Sequence, residues 1–329
     1  MRAVGIILAG GNNNRMKELT HKRAVAAMPI AGSYRSIDFA LSNMTNSHIQ
    51  KVAVLTQYNA RSLNEHLNSS KWWNFGRKQG GLYVFTPTIT NDNGYWYRGT
   101  ADAIYQNMDF LKKSHEPYVV IASGDAVYKM DYSKVLQYHI DKKADVTVVC
   151  KEMDPSDDVS RFGTIRMDDD MRITEFEEKP MVTKSNMIST GIYVIRRRLL
   201  IDLIEHAAEE ERFDFVNDVL IRYKNLKKIY GYKIDHYWSN IATVDAYYKT
   251  NMDFLKPEVR NYFFKQDPEI YSKVSDLPPA KYNPGASVKN SLVGSGSIIN
   301  GTVENSVIFK QVFVGNNCVI KNSIILNDE

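Results

Sequence analysis

Ala3-Val4-Gly5-Ile6-Ile7-Leu8-Ala9-Gly10-Gly11-Asn12-Asn13-Asn14-Arg15 is the stretch whose reading decides the fold. A short apolar run ends in a Gly- and Asn-rich turn, the form of a strand that hands over to a helix across a tight loop. Residues 52–55, 118–122 and 145–150 repeat the apolar run. Helical patterns lie between them. Ala101, Ile104, Tyr105, Met108 and Leu111 recur at intervals of three and four, which gives one apolar face. Val135, Tyr138 and His139 continue that style after Asp131, a residue suited to an N-cap. Strand, crossover helix, strand predicts an α/β domain over residues 1–255, built on a mostly parallel sheet with helices on both faces.

The chain changes character after that. Residues 256–284 carry Pro257, Pro268, Pro278, Pro279 and Pro284 and read as a connector. Over 285–329, Leu292, Ile298, Ile308, Val314, Ile320 and Leu326 recur at hexad spacing with one break near Thr302, and Gly, Asn and Ser fill the gaps. A six-residue period with β-branched residues marks a hexapeptide β-helix; a few ordinary hairpins are the plainer alternative. The last hexad lies close to the end without a capping segment, which predicts a shortened solenoid.

Composition narrows the function classes. At ~150 residues per domain, 329 residues suit two domains. Lys and Arg number 42 against 38 Asp and Glu, a net +4 with no long basic run, which argues against a nucleic-acid partner. No stretch approaches the ~20 apolar residues of a membrane span. Cys150 and Cys318 form no metal-binding spacing, and reduced thiols in the cytoplasm are the default.

The candidate chemistry sits in the first domain. Gly10 and Gly11 let the backbone approach a nucleotide, and Arg15 adds a forked cation suited to phosphate. A plain βα turn is the other reading, because the loop is neither a Walker loop nor a GxGxxG fingerprint. Ser123-Gly124-Asp125 ends the 118–122 strand, where open α/β sheets place ligands, and Asp125 is a hard oxygen donor fit for Mg²⁺. Gly99-Thr100 opens a helix whose first N–H groups suit an anion or a sugar oxygen, or else form a simple cap. Glu177-Glu178-Lys179-Pro180 suits sugar hydroxyls and a phosphate, or is an exposed charged strand end.

Seven motifs stand in order: LAGG…R at 8–15, YRxIDF at 34–39, LTQY at 55–58, GTADAIYQN at 99–107, SGD at 123–125, FEEKP at 176–180 and TGIYV at 190–194. Together they resemble the bacterial ADP-glucose pyrophosphorylase, or glucose-1-phosphate adenylyltransferase, family over nearly the whole chain. The resemblance implies a Rossmann-like nucleotidyltransferase domain followed by a left-handed β-helix, assembled as a tetramer. It implies the conversion of ATP and glucose 1-phosphate to ADP-glucose and pyrophosphate for glycogen synthesis. It also implies nucleotide contacts at Leu8, Ala9, Gly10, Gly11, Gln57, Gly99, Thr100 and Gly124, and catalytic roles for Arg15 and Asp125. Sugar-phosphate contacts fall on Glu178, Lys179, Ser189 and Asp214, and Mg²⁺ on Asp125 in an active chain.

Four departures qualify that inheritance. The late W-x-D-I/V-G-T motif reads Trp238-Ser239-Asn240-Ile241-Ala242-Thr243, so Asn240 replaces the second metal carboxylate. Val25 falls where the Lys of Lys-Pro-Ala-Val-Pro belongs, and Lys22 is three residues too early. Asn13 replaces the last glycine of GGxGxRL, and Ala126 replaces the His of SGDH. All four fall at nucleotide or metal positions, whereas the sugar contacts are kept. The chain therefore most resembles the non-catalytic, glycogen biosynthesis D type subunit, with a catalytic subunit as partner in a hetero-tetramer. An active adenylyltransferase and a non-enzymatic sugar-phosphate sensor are the alternatives.

Overall fold

The computed structural model describes residues 2–11, 14–76, 80–89, 94 and 96–327. Ala3–Leu8 lies at the heart of a nine-stranded sheet. It pairs in parallel with Lys51–Leu55 on one side and Tyr118–Ser123 on the other, and Gly81–Phe85 extends the parallel block beyond Lys51–Leu55. Met187–Arg196 then joins antiparallel to Tyr118–Ser123. Through it the sheet gains Val146–Glu152, parallel to Ile229–Ile234, and the Gly163–Met167/Ile173–Glu178 hairpin.

Alternation along the strands splits the core in two. Ile7, Val54 and Ala122 face the helices Ser36–Asn46, Arg61–Leu67 and Tyr132–Asp141. Ile6, Leu55 and Ile121 face Thr100–Gln106, Met108–Lys112 and Arg197–Glu209. Both faces are covered, so the central strands read as continuous apolar runs. The helical period predicted through 101–111 is broken at Asn107, whose amide donates to the Ala103 carbonyl and the Tyr97 hydroxyl. Asp131 caps its helix as expected, accepting from the Ser133 N–H at 2.9 Å, a contact worth about 1 kcal/mol.

The connector is not uniformly irregular. Pro257–Phe264 is a helix, and Pro257 opens it, where a missing N–H costs nothing. Phe263 is buried against Phe39 and Phe254, which fastens the segment to the first domain. Lys129 reinforces it by donating to the Tyr262 carbonyl at the helix's last turn.

Beyond it the chain forms three parallel ladders of three short strands, the coils of a hexapeptide β-helix. Ile308, Val314 and Ile320 fill its interior as the hexad predicts. Leu292, Ile298 and Leu326 do not. Ile298 is exposed and its neighbour Ile299 is fully buried instead. Leu292 and Leu326 pack with Val307, Phe309 and Ile324 against Met252 and Leu255 of the first domain. One side of the solenoid is thus apolar on its outside as well, because it abuts the helix Val244–Asp253 and the turn after it. An outward column of this kind blurs a period read from apolar residues alone.

Candidate functional site

A cleft of about 690 Å³ opens beyond the C-terminal ends of Ala3–Leu8, Lys51–Leu55 and Tyr118–Ser123. Parallel strands end there with their helices diverging, which leaves a crevice lined by the loops. Leu8, Ala9, Gly10, Gly11 and Arg15 form one edge. Gly10 lies against the next loop, where a Cβ would meet the Gln57 backbone nitrogen at 3.3 Å, while the space around Gly11 is open. Arg15 is exposed at the rim. Asn13 lies outside the described residues.

Gln57 lines the cleft, but its amide is engaged. Its Oε1 accepts from the Tyr97 N–H at 2.6 Å and its Nε2 donates to the Tyr97 carbonyl at 3.3 Å. It fixes the loop leading into Gly99 and Thr100, which also line the cleft. Part of the helix start that the sequence offers to an anion is already engaged. The Ala101 N–H donates to the Phe213 carbonyl at 2.8 Å, and the Thr100 hydroxyl accepts from the Phe215 N–H at 3.0 Å. Gly99 permits the approach, since a Cβ would stand 2.3 Å from the Phe213 oxygen. The same docking gives Asp214 a structural role. Its Oδ1 accepts from the Asn217 N–H at 2.7 Å, capping the helical turn Phe215–Ile221.

Three further candidate residues are also engaged within the fold. Gly124 is buried and does not line the cleft; its N–H donates to Leu8 and its carbonyl accepts from the Ser36 hydroxyl. Ser189 is buried with its hydroxyl 3.2 Å from that of Tyr193. It precedes an irregularity in the Met187–Arg196 pairing where Gly191 takes φ +75°, a conformation natural to glycine. Glu178 is partly buried, does not line the cleft and forms an ion pair with Lys179 at 3.0 Å. Lys179 itself reaches the cleft, and its backbone holds φ +47°, a strained value for a lysine and a frequent feature of ligand clamps.

The opposite wall is made by two ribbons. Ala126–Tyr128 pairs antiparallel with Trp238–Asn240, and the Ile241 N–H donates to the Asp125 carbonyl at 2.9 Å. Asp125 and Asn240 are thereby brought to the same wall of the cleft. The Ser123 hydroxyl donates to Asp125 Oδ1 at 2.5 Å. Asn240 Oδ1 accepts from the Ala242 N–H at 3.0 Å and from Arg161 Nη1 at 3.4 Å. Val25 lines the floor with an apolar side chain, packed in the cluster of Met16, Met28 and Ile241, whereas Lys22 is exposed and does not line the cleft.

Arg161 is a cleft residue that the sequence did not single out. It stacks on the Phe162 ring at 4.6 Å and its Nη2 lies 3.5 Å from the Asn240 carbonyl. Burial pushes its guanidinium below the usual value, and the charges of Asp125 and Asp158 oppose that shift. No local signal marks it: an Arg before Phe-Gly at a strand start is ordinary, and its partner lies 79 positions away.

A divalent cation, which the family resemblance implies, does not fit this donor set. Mg²⁺ sites of this kind use carboxylate oxygens, and only Asp125 supplies one to the described lining. The amide oxygen of Asn240 already accepts two N–H groups, one from a cation. Among the described residues, no group of three or more His, Cys, Asp or Glu could hold a metal ion.

A parallel-centred sheet with its crevice at the strand ends, followed by a hexapeptide β-helix, defines a nucleotidyltransferase-type α/β protein. The Nucleotidyl transferase family matches residues 4–257, and the GlmU-like, C-terminal hexapeptide family matches 278–329. Glucose-1-phosphate adenylyltransferase from Clostridium botulinum (strain Alaska E43 / Type E3) is 42% identical over 325 residues, 98% of this chain and 84% of its own. Those of Clostridium novyi (strain NT) and Thermosipho melanesiensis are 40% and 39% identical over 320 residues, covering 96% and 97% of this chain and 84% and 77% of their own. The chain belongs to the glucose-1-phosphate adenylyltransferase family. Among the described residues, no helix is long and apolar enough to cross a membrane.

Proposed function

We propose that this chain is a regulatory subunit in glycogen biosynthesis, impaired in adenylyl transfer, which retains ligand binding and works in the cytoplasm beside a catalytic chain in a hetero-tetramer. One observation carries the reading: Asn240 faces the cleft beside Asp125 with its oxygen engaged by Ala242 and Arg161. Adenylyl transfer gathers negative charge at the α-phosphorus as the sugar phosphate attacks and pyrophosphate departs, so it depends on positioned cations. Asp125 keeps one carboxylate, and Val25 contributes no charge to the floor. Arg15, Arg161 and Lys179 supply cations to hold phosphates, and the Gly10-Gly11 backbone lets a base approach. That inventory supports binding better than turnover.

An active glucose-1-phosphate adenylyltransferase is the second reading, and the names of the relatives favour it. Pyrophosphorolysis of ADP-glucose separates the two. Loss of a charge contact at the transition state should leave the chain alone at least ~10³-fold slower than an intact relative, with activity appearing when a catalytic partner is added. A homo-oligomer turning over at about ten per second, the median for enzymes, would overturn the regulatory reading.

A further inference from the structure

The described cleft lining holds four cationic side chains, Arg15, Arg98, Arg161 and Lys179, against one carboxylate, Asp125. A site that recruits part of its positive charge as a metal ion relies on carboxylates to hold it, and here the lining offers a single one. Here the positive charge is covalently built in. Arg98 is partly engaged by Asp102 at 3.3 Å, and Lys179 by Glu178 at 3.0 Å. Arg161 stands on the wall where the second carboxylate is missing, and three contacts hold it there. Its guanidinium is stacked on Phe162, which meets Trp238 edge-on at 5.6 Å. Nη1 donates to the Asn240 side chain and Nη2 to the Asn240 carbonyl. The strand start that carries it is tied to the lysine, since the Lys179 N–H donates to the Phe162 carbonyl at 3.1 Å.

We infer that this chain binds a nucleoside diphosphate sugar without a divalent metal, the anchored Arg161 guanidinium supplying the positive charge to its phosphates. The inference rests on the reading that the cleft binds ligand. Its physical basis is the pairing of Asn240 with Arg161. An amide oxygen that accepts two N–H groups has little left to offer a cation, and a guanidinium beside it repels one. A planar, delocalised donor whose orientation is already fixed loses little entropy when it bonds a phosphate. Asn240 then acts as the positioning residue for Arg161 in place of a metal ligand.

Isothermal titration calorimetry of the full chain with ADP-glucose, in EDTA and in saturating Mg²⁺, tests this. The dissociation constants in the two buffers should agree within about threefold, far less than a lost charge-assisted contact would produce. Arg161→Ala and Arg161→Gln should each weaken binding by ~10–100-fold in both buffers, on the scale of a charged hydrogen bond, while Arg161→Lys recovers part of it. The Gln variant keeps a neutral polar side chain over Phe162, so comparison with Arg161→Lys separates charge from packing; unchanged melting temperatures confirm that the variants fold. Asn240→Asp should introduce a metal dependence, binding at least about tenfold tighter in Mg²⁺ than in EDTA. Wild-type binding that tightens tenfold or more with Mg²⁺, or that is indifferent to Arg161→Gln, overturns the inference and leaves the binding reading standing. No binding in either buffer overturns both.

Discussion

The two walls of the cleft differ in what their side chains are free to do. On the Asp125 wall, Asn240 is bonded to its own chain and to Arg161, and Val25 belongs to an apolar cluster. On the side carried by the end of Ile173–Glu178, Lys179 projects from a strained backbone with Glu178 set beside it and its N–H bonded to the Phe162 carbonyl. On the proposed reading, the first wall lacks groups that would act when charge develops. The second keeps Lys179, which on that reading recognises charge already present. Binding a phosphate and stabilising its reaction are separable because the reaction requires interactions that strengthen only at the transition state.

The largest expected effect comes from adding charge to the Asp125 wall. Asn240→Asp together with Val25→Lys should raise pyrophosphorolysis of ADP-glucose by at least ~10²-fold over the parent, the scale of one strong electrostatic contact. The two changes act on one transition state, so the double variant should exceed the sum of the singles in free energy. Val25 lines the cleft from an apolar cluster, so the new ammonium has a path into it. No gain in a folded double variant would take the proposed impairment away from Asn240 and Val25 and point to the glycine loop or Ala126.

A smaller effect should follow from stripping the retained wall. Glucose 1-phosphate should raise the melting temperature of the parent by mass action. In Lys179→Ala that shift should vanish, an affinity loss of about tenfold or more for the loss of a charge-assisted contact. An identical shift in parent and variant would place the sugar phosphate away from this wall and erase the contrast.

The smallest effect separates a cap from a contact. The family resemblance assigns Asp214 to the sugar, yet its carboxylate caps the turn at Asn217. Asp214→Ala should cost about 1 kcal/mol of stability, read from denaturant unfolding, as for a lost N-cap. The glucose 1-phosphate shift should survive it. Loss of that shift at undiminished stability would return Asp214 to the sugar wall.

What was legible in the sequence is what local physics decides. Apolar runs such as Ala3–Leu8 declared strands covered on both faces, Asp131 declared a helix start, and the hexad spacing declared a solenoid. The substitutions at Val25 and Asn240 were visible as residue types at motif positions, and both lie in the cleft. Only the tertiary structure decided which groups remain available. The Ala101 and Asp102 N–H groups are spent on Phe213, the Gln57 amide on Tyr97 and the Ser189 hydroxyl faces Tyr193, each a partner brought in by folding. The solenoid's facing followed the same rule: Leu292 and Leu326 turn outward because the first domain offers them an apolar surface. Arg161 is the sharpest case, since its role depends on Asn240, a residue far along the chain. Periodicity and residue type are properties of the chain, but a polar group's availability depends on every other group that comes within bonding distance, and only the folded structure fixes that set.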